Sequence, residues 1–561
     1  MQDDVDSARG FDALLEANLS RTDFLGYLGA AVAATAVGVG PAAQVFADTT
    51  VSARTLKTKD TLIVAYAGDP PNLHPQFAQV PQGQEVIINT YDEVIDYPSS
   101  VRTYRGQTYR LADYSKPVGA LVRSIQRSRD GRVYTFELRP NLRLPSGRLL
   151  DMSDVTKSFD AMFNANGVGV FLLAQGGVTK RNQIQALDGH RFQILASHAT
   201  PITLAVLGIW CLTFYDTKIL KQHATSKDPW ANKWLINHVD GYGAYILDRF
   251  QPGVELRLRA NPYYWRGVPA IKNVILKIVP SPQERASLLE TGAVDMSTYL
   301  APSDVHALKG HPGVNILSLP FIVRPYIGFN LKQKPFDNKL LRQALSYATP
   351  YDAIIKTVYF NEARRCTSVT PVGFPGQFTG HWPYNYNLAK ARDLLKRSGL
   401  KNVQFDLPYD AGFATHEQIA IILRSTWNQI GVAVNPKKLN SADFAAQWDP
   451  SKRTTPIWIE ETFAVVPDPY YDLGLFFSDA GFHNFGHYHN AALEQAIKTG
   501  QFLNNRTRRL EIIRKAQASM VDDPPWIFLA QLNWIVSKRS NVTGYTLYYD
   551  ALTRYRQLHF A

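Results

Sequence analysis

Two adjacent acids stand out for the company they keep. Glu460 and Glu461 follow an apolar run that includes Trp458, with Phe463 just beyond. A carboxylate at the edge of an apolar, aromatic surface suits two tasks, moving a proton or holding an ammonium group. If the run is a strand, neighbouring side chains face opposite sides, so at most one of the pair points inward. Asp410, next to Tyr409 in the segment 407–412, supplies another acid in an aromatic setting. Tyr409, Asp410, Trp458, Glu460, Glu461 and Phe463 are therefore the candidate ligand-binding residues, with the two glutamates and Asp410 as polar anchors. The aromatic loop around Phe482 would extend the wall. Aromatic walls serve sugars, peptides and amphipathic organic ligands alike, and the alternative for each ring is core packing.

Other combinations with chemical potential fall short. His416-Glu417 begins like the zinc motif HExxH, but Ala420 stands where the second histidine ligand belongs. Three histidines, His483, His487 and His489, fall within seven residues and could hold a transition metal or a haem. Their segment reads as a loop, where histidines are commonly plain surface residues. Gly38-Val39-Gly40 looks like the start of a dinucleotide loop but lies in a segment of a different kind, described below. The sequence holds no GxxxxGK[ST] phosphate loop and no GxSxG nucleophile elbow. Catalysis is therefore not expected, and neither a metal nor a cofactor is called for. Cys211 and Cys366 are the only cysteines, so a disulfide framework and a CxxC site are excluded. One bridge or two buried thiols both remain open.

The elements that must position these residues alternate along the chain. Residues 61–66 are a β-branched run closed by Gly68-Asp69-Pro70-Pro71, a strand followed by a turn. Residues 132–139, 254–258 and 274–278 alternate with period two. Ser153 opens a helix through Val155, Phe159 and Met162, and Ser281-Pro282 opens another with acids near its positive end. Residues 387–399 form an amphipathic helix from an asparagine cap to a glycine stop, and 491–513 reads as helical with a break near Gly500. Such alternation predicts an α/β chain whose domains are made by the polypeptide crossing back and forth.

The chain has 561 residues, 45% hydrophobic and 19% charged, with a net charge of +12. Disordered, fibrous and coiled-coil classes are excluded. The basic clusters are short, such as 506–509, so no nucleic-acid partner is expected. Residues 24–46 are an uncharged Ala/Gly/Val-rich stretch preceded by Ser20-Arg21-Thr22-Asp23 and ending near a small-residue cleavage site at Ala47. The pattern is similar to a twin-arginine export signal with Thr22 in place of the second arginine, although the preceding segment is acidic. A general secretory route and a single membrane anchor are the alternatives. Cleavage after Ala47 would leave 58 basic and 42 acidic residues, a charge of +16.

Several stretches, in order, resemble the family 5 solute-binding proteins of ABC importers, the peptide- and nickel-binding class. They include FELRPNLRLPSGRLLDMSDVTKSF at 136–159, DGYGAYIL at 240–247, RANPYYW at 259–265 and TGAVD at 291–295. IGFN at 327–330, PFD at 335–337, LRQALS at 341–346, Asp468-Pro469 and PWI at 525–527 continue the series. The resemblance implies a periplasmic-binding-protein type II fold, α/β, with two large lobes, a hinge and an additional smaller lobe. It places lobe I at 48–90, 200–320 and 531–561, the smaller lobe at 91–199, lobe III at 321–530 and the export signal at 1–47. It implies a monomeric periplasmic receptor that captures a peptide or other polar organic solute between its lobes and delivers it to an inner-membrane ABC permease. Other ligands in view are a sugar, an opine, a metal chelate or haem, and an exported hydrolase is the remaining alternative. Peptide-binding members tend to hold the ligand's amino group with an aspartate just before the Asp-Pro pair. Here 463–467 carries no acid, and Glu460 and Glu461 are the nearest. Dipeptide-type members tend to place an arginine in the loop that corresponds to 407–412, where this sequence has Asp410 instead.

Overall fold

The computed structural model describes residues 60–78, 80–447, 455–462, 465–481, 483–503 and 505–561. The export segment, Phe463 and Phe482 lie outside the described residues.

The run TLIVAY becomes the inner strand Thr61–Tyr66, with every residue but Ile63 buried. It pairs in parallel with Asn273–Ile278, Thr61 opposite Asn273 and Tyr66 opposite Ile278, and on its other side with Met296–Ser297. Buried on both faces, it needs the near-continuous apolar sequence that it has. The order along the sheet runs Tyr245–Gln251, Glu255–Ala260, Asn273–Ile278, Thr61–Tyr66, Met296–Ser297, Gln531–Arg539, Val314–Pro320, and the short strand Ala363–Arg364 also pairs with Gln531–Arg539. The start, the middle and the end of the chain thus meet in one sheet. Helix Pro282–Thr291 opens as expected, with the Ser281 hydroxyl accepting from Glu284 N at 3.2 Å, and stops at Gly292 with φ +75°.

A separate antiparallel sheet orders Val122–Arg127, Val133–Leu138, Arg191–Leu195 and Ile184–Ala186. Its inner face carries Phe136 stacked on Phe192 at 4.9 Å, covered by Phe159 of helix Met152–Ala165. That helix begins earlier than its sequence suggests. Asp151 is the cap, accepting from Asp154 N, and Asp154 returns the bond to the Asp151 N–H. A carboxylate three residues before another acid makes a reciprocal box, which outcompetes Ser153.

The other large lobe is built on a three-stranded sheet, Ile457–Thr462, Arg324–Phe329 and Trp526–Phe528. Beside it lie the parallel strands Gln404–Asp410 and Ala433–Leu439, joined through helix Ala414–Asn428. Gly328 is fixed by packing. A Cβ there would sit 2.2 Å from the Trp458 ring, which lies flat against the strand. The helical stretch after 490 breaks as read, into Ala491–Gly500 and Arg506–Asp522, with Asn505 capping the second.

Two crossover segments connect the large lobes side by side. Leu529 N donates to Pro325 O and Leu532 N to Val323 O, each at 2.9 Å. The buried Gln531 side chain donates to Phe321 O at 2.6 Å and accepts from Val372 N at 2.7 Å. Two adjacent strands with few side chains between them make a hinge that bends without breaking either core. The lobes are closed on each other. Val466 and Tyr471 of the second lobe belong to the same buried cluster as Trp210 and Cys211 of the first. His198 and Phe502 meet across the gap at 4.0 Å. Among the described residues no helix is long and apolar enough to cross a membrane.

Candidate ligand-binding site

The sequence candidates converge where two strands of the second lobe end. Strand Gln404–Asp410 finishes at Asp410, whose Oδ1 accepts from Gly412 N at 2.8 Å and so turns the chain into the next helix. Strand Ile457–Thr462 finishes beside the hinge, with Glu460 opposite Tyr326, Glu461 opposite Pro325 and Thr462 opposite Arg324. Ligands of open α/β sheets bind at such strand ends, where backbone geometry opens a crevice.

The two glutamates face opposite layers, as strand alternation requires. Glu461 shares a face with Ile457 and Ile459 and reaches toward His416, with Oε1 3.8 Å from Nε2. His416 is fully buried in the first turn of helix Ala414–Asn428, stacked on Phe413 at 4.6 Å, and neither ring nitrogen makes a hydrogen bond. Both acids are partly covered, so each points inward, one into each layer. The expectation that only one could do so assumed a single core, whereas this sheet is packed on both faces.

Glu460 shares its face with Trp458 and Tyr326. Burial pushes its carboxyl up to about 8, aided by the neighbouring charges of Asp410 and Glu461, while the Glu461 N–H at 3.1 Å pulls it back. The hydroxyls of Tyr326 and Tyr359 are raised chiefly by burial, and then by Glu460 and Glu461 respectively. Acids clustered in this way favour the arrival of a cation.

Trp458 and Tyr409 are core residues of this lobe, 1% and 4% exposed. The Trp458 indole N–H lies 3.4 Å from the Tyr326 hydroxyl. Sequence reasoning missed His416 and Tyr359. The first had been weighed only as half of a metal motif, yet it lies six residues after Asp410 in the same strand–turn–helix unit, a signal that was available. Arg324 was also missed. It sits at the hinge, fully buried, with Nη2 2.7 Å from Asp472 Oδ1.

The three histidines do not converge. His489 Nδ1 lies 2.9 Å from both oxygens of Asp479 on the exposed surface, while His483 packs edge-on against Phe476 at 5.6 Å. Among the described residues no group of three or more His, Cys, Asp or Glu is placed to hold a metal ion. Cys211 and Cys366 are buried and unbridged, which decides between the two options, and burial raises both thiols.

Two large α/β lobes joined by paired crossover strands, with a smaller lobe, make the periplasmic-binding-protein type II fold. The model of the bacterial extracellular solute-binding proteins, family 5, matches residues 116–484, and the chain belongs to that family. Its function is that of an extracytoplasmic solute receptor for an ABC importer. The chain is similar to the probable D,D-dipeptide-binding periplasmic protein DdpA of Escherichia coli, 24% identical over 87% of this chain and 91% of the relative. It is also similar in fold to DppA from Helicobacter pylori in complex with the peptide STSA (TM-score 0.75, 20% identity, 89% and 98% of the two chains). NikA from Brucella suis in complex with Fe(III)-EDTA shares the fold as well (TM-score 0.76, 16% identity, 89% and 100%).

Proposed function

We propose that the solute is a peptide or another polar organic molecule bearing an amino group, taken at the strand ends around Glu460, with Asp410 and Glu461 contributing charge. The observation that carries the reading is the gathering of three carboxylates at the hinge-side edge of the lobe. A bound ammonium would compensate that charge. Trp458 and Tyr409 would shape the crevice from beneath, and Phe463 is proposed as a further ligand contact from the sequence alone. The peptide-binding relatives agree with this reading. Lobe boundaries near 90, 200, 320 and 530 are part of the same proposal. Delivery to an inner-membrane permease as a monomer, after export directed by a cleaved twin-arginine-like segment at 1–47, completes the proposal.

The test is a thermal-shift and calorimetric screen of dipeptides, oligopeptides, opines, oligosaccharides and Ni(II) chelates. A ligand at a hundred times its Kd raises stability by about 2.7 kcal/mol. Peptides or other amines should raise the melting temperature. If only sugars or metal chelates do so, the reading fails.

A further inference from the structure

A cavity of about 270 Å³ lies in the other half of the molecule, outside the site just described. Its walls are Pro145, Ile219, Val239 and Ile246 together with Trp234, and Asp216 and Asp240 stand at its polar end. Both faces of the Trp234 indole are covered, by His223 at 4.3 Å and by His238 at 4.6 Å, so its edge is what remains for the cavity.

The charges at the polar end do not balance. Arg148 donates from Nη1 and Nη2 to Asp154 at 2.7 and 2.9 Å, and from Nη2 to Asp216 at 2.6 Å. Asp216 also caps helix Thr217–His223 through Lys218 N. One guanidinium thus bonds two buried carboxylates, and the third, Asp240, has only the more distant charge of Arg148 and a hydrogen bond from the Asp216 backbone N–H. Asp240 is 9% exposed and its Oδ2 makes no hydrogen bond. Its backbone N–H is held by the Tyr91 hydroxyl at 2.8 Å, which pins the residue in place. Burial, then Asp216 and Asp154, push the Asp240 carboxyl well above the usual range. A carboxyl in this setting gains from a cation brought beside it. Its Oδ2 is the part left unsatisfied, and an unbonded buried oxygen costs on the order of 1–3 kcal/mol.

We propose that this cavity is a second binding site, for a small organic monocation, in which Asp240 meets an ammonium head and the apolar walls enclose an alkyl body of a few carbons. The volume is below the range of drug-sized pockets and fits such a molecule rather than a peptide.

The experiment is calorimetric titration of the full chain with n-butylammonium chloride at pH 7, against sodium chloride at equal concentration. Saturable binding is expected. Asp240→Asn should weaken it at least tenfold. Val239→Phe, which fills the cavity and leaves the acid in place, should weaken it as much. Glu460→Gln, which acts on the separate site at the hinge, should leave the binding that Asp240→Asn removes unchanged. Absence of saturable binding, indifference to Asp240→Asn and Val239→Phe, or loss in Glu460→Gln would each overturn the proposal.

Discussion

Each large lobe buries a group of acids, and the two groups are answered differently. In the first lobe, Glu93, Asp96 and Asp550 meet three arginines. Arg554 lies 3.1 Å from Glu93 and 2.6 Å from Asp550, and Arg556 and Arg266 lie 2.9 and 2.8 Å from Asp96. These residues come from three distant stretches of chain, so the network ties the carboxyl-terminal tail to the body of the lobe. In the second lobe, Asp410, Glu460 and Glu461 gather beside an imidazole, and Glu460 is pushed up to about 8 by burial and its acidic neighbours. Charge answered within the chain holds a fold together. An acid raised by burial and by neighbouring acids, as Glu460 is, is suited to an outside partner.

The comparison breaks first at Arg554. Arg554→Met leaves Glu93 and Asp550 buried without their cation and should cost about 3–5 kcal/mol in denaturant unfolding. A loss under about 1 kcal/mol would mean that the network is not structural. Gly328→Ala drives a methyl group into the Trp458 ring beneath the second group and should cost about 1–3 kcal/mol. Rescue by shrinking Trp458 would locate the strain.

Glu460→Gln should do the reverse of Arg554→Met, leaving the fold as stable or more so while weakening an amine ligand at least tenfold, about 1.4 kcal/mol. The pH dependence sharpens this. The unfolded Glu460 carboxyl ionises near 4.3 and the folded one near 8, so the folded state holds the extra proton between those values. Stability from this residue therefore falls as pH rises from about 4.3 to 8, and Glu460→Gln should flatten that part of the profile. The smallest effect is expected at the lobe contact. Burial holds the His198 imidazole down to about 4, so the unfolded or opened chain binds the proton first. Closure should weaken as pH falls from about 6.5 to 4, and His198→Phe should keep the contact with Phe502 and remove the slope, read by scattering as compactness against pH.

Much of this was legible in advance where the signal was local. The strand TLIVAY, the Ser281 and Asn387 caps and the helix break after Gly500 follow from short-range rules, and they occur as read. The helix start at 152 was misplaced because two aspartates formed a box that a single serine could not match. The site was legible only in part. Glu460 and Asp410 could be named because acids in apolar runs are conspicuous. That Trp458 lies flat over Gly328, that Glu461 faces His416, and that Cys211 and Cys366 stay apart depend on which strands become neighbours.

By itself, then, the sequence determined the class of the chain and its α/β alternation, since these depend on residue type and spacing within a few turns. Only the tertiary structure decided which acids are compensated. Arg554 stands 461 positions from Glu93. No such arginine is brought among the described residues to Glu460, and the charged groups that act on Asp240, namely Asp216, Asp154 and Arg148, come from other segments of the chain. Long-range charge balance is a property of the packed core, set when distant segments are brought together in a medium that screens them weakly.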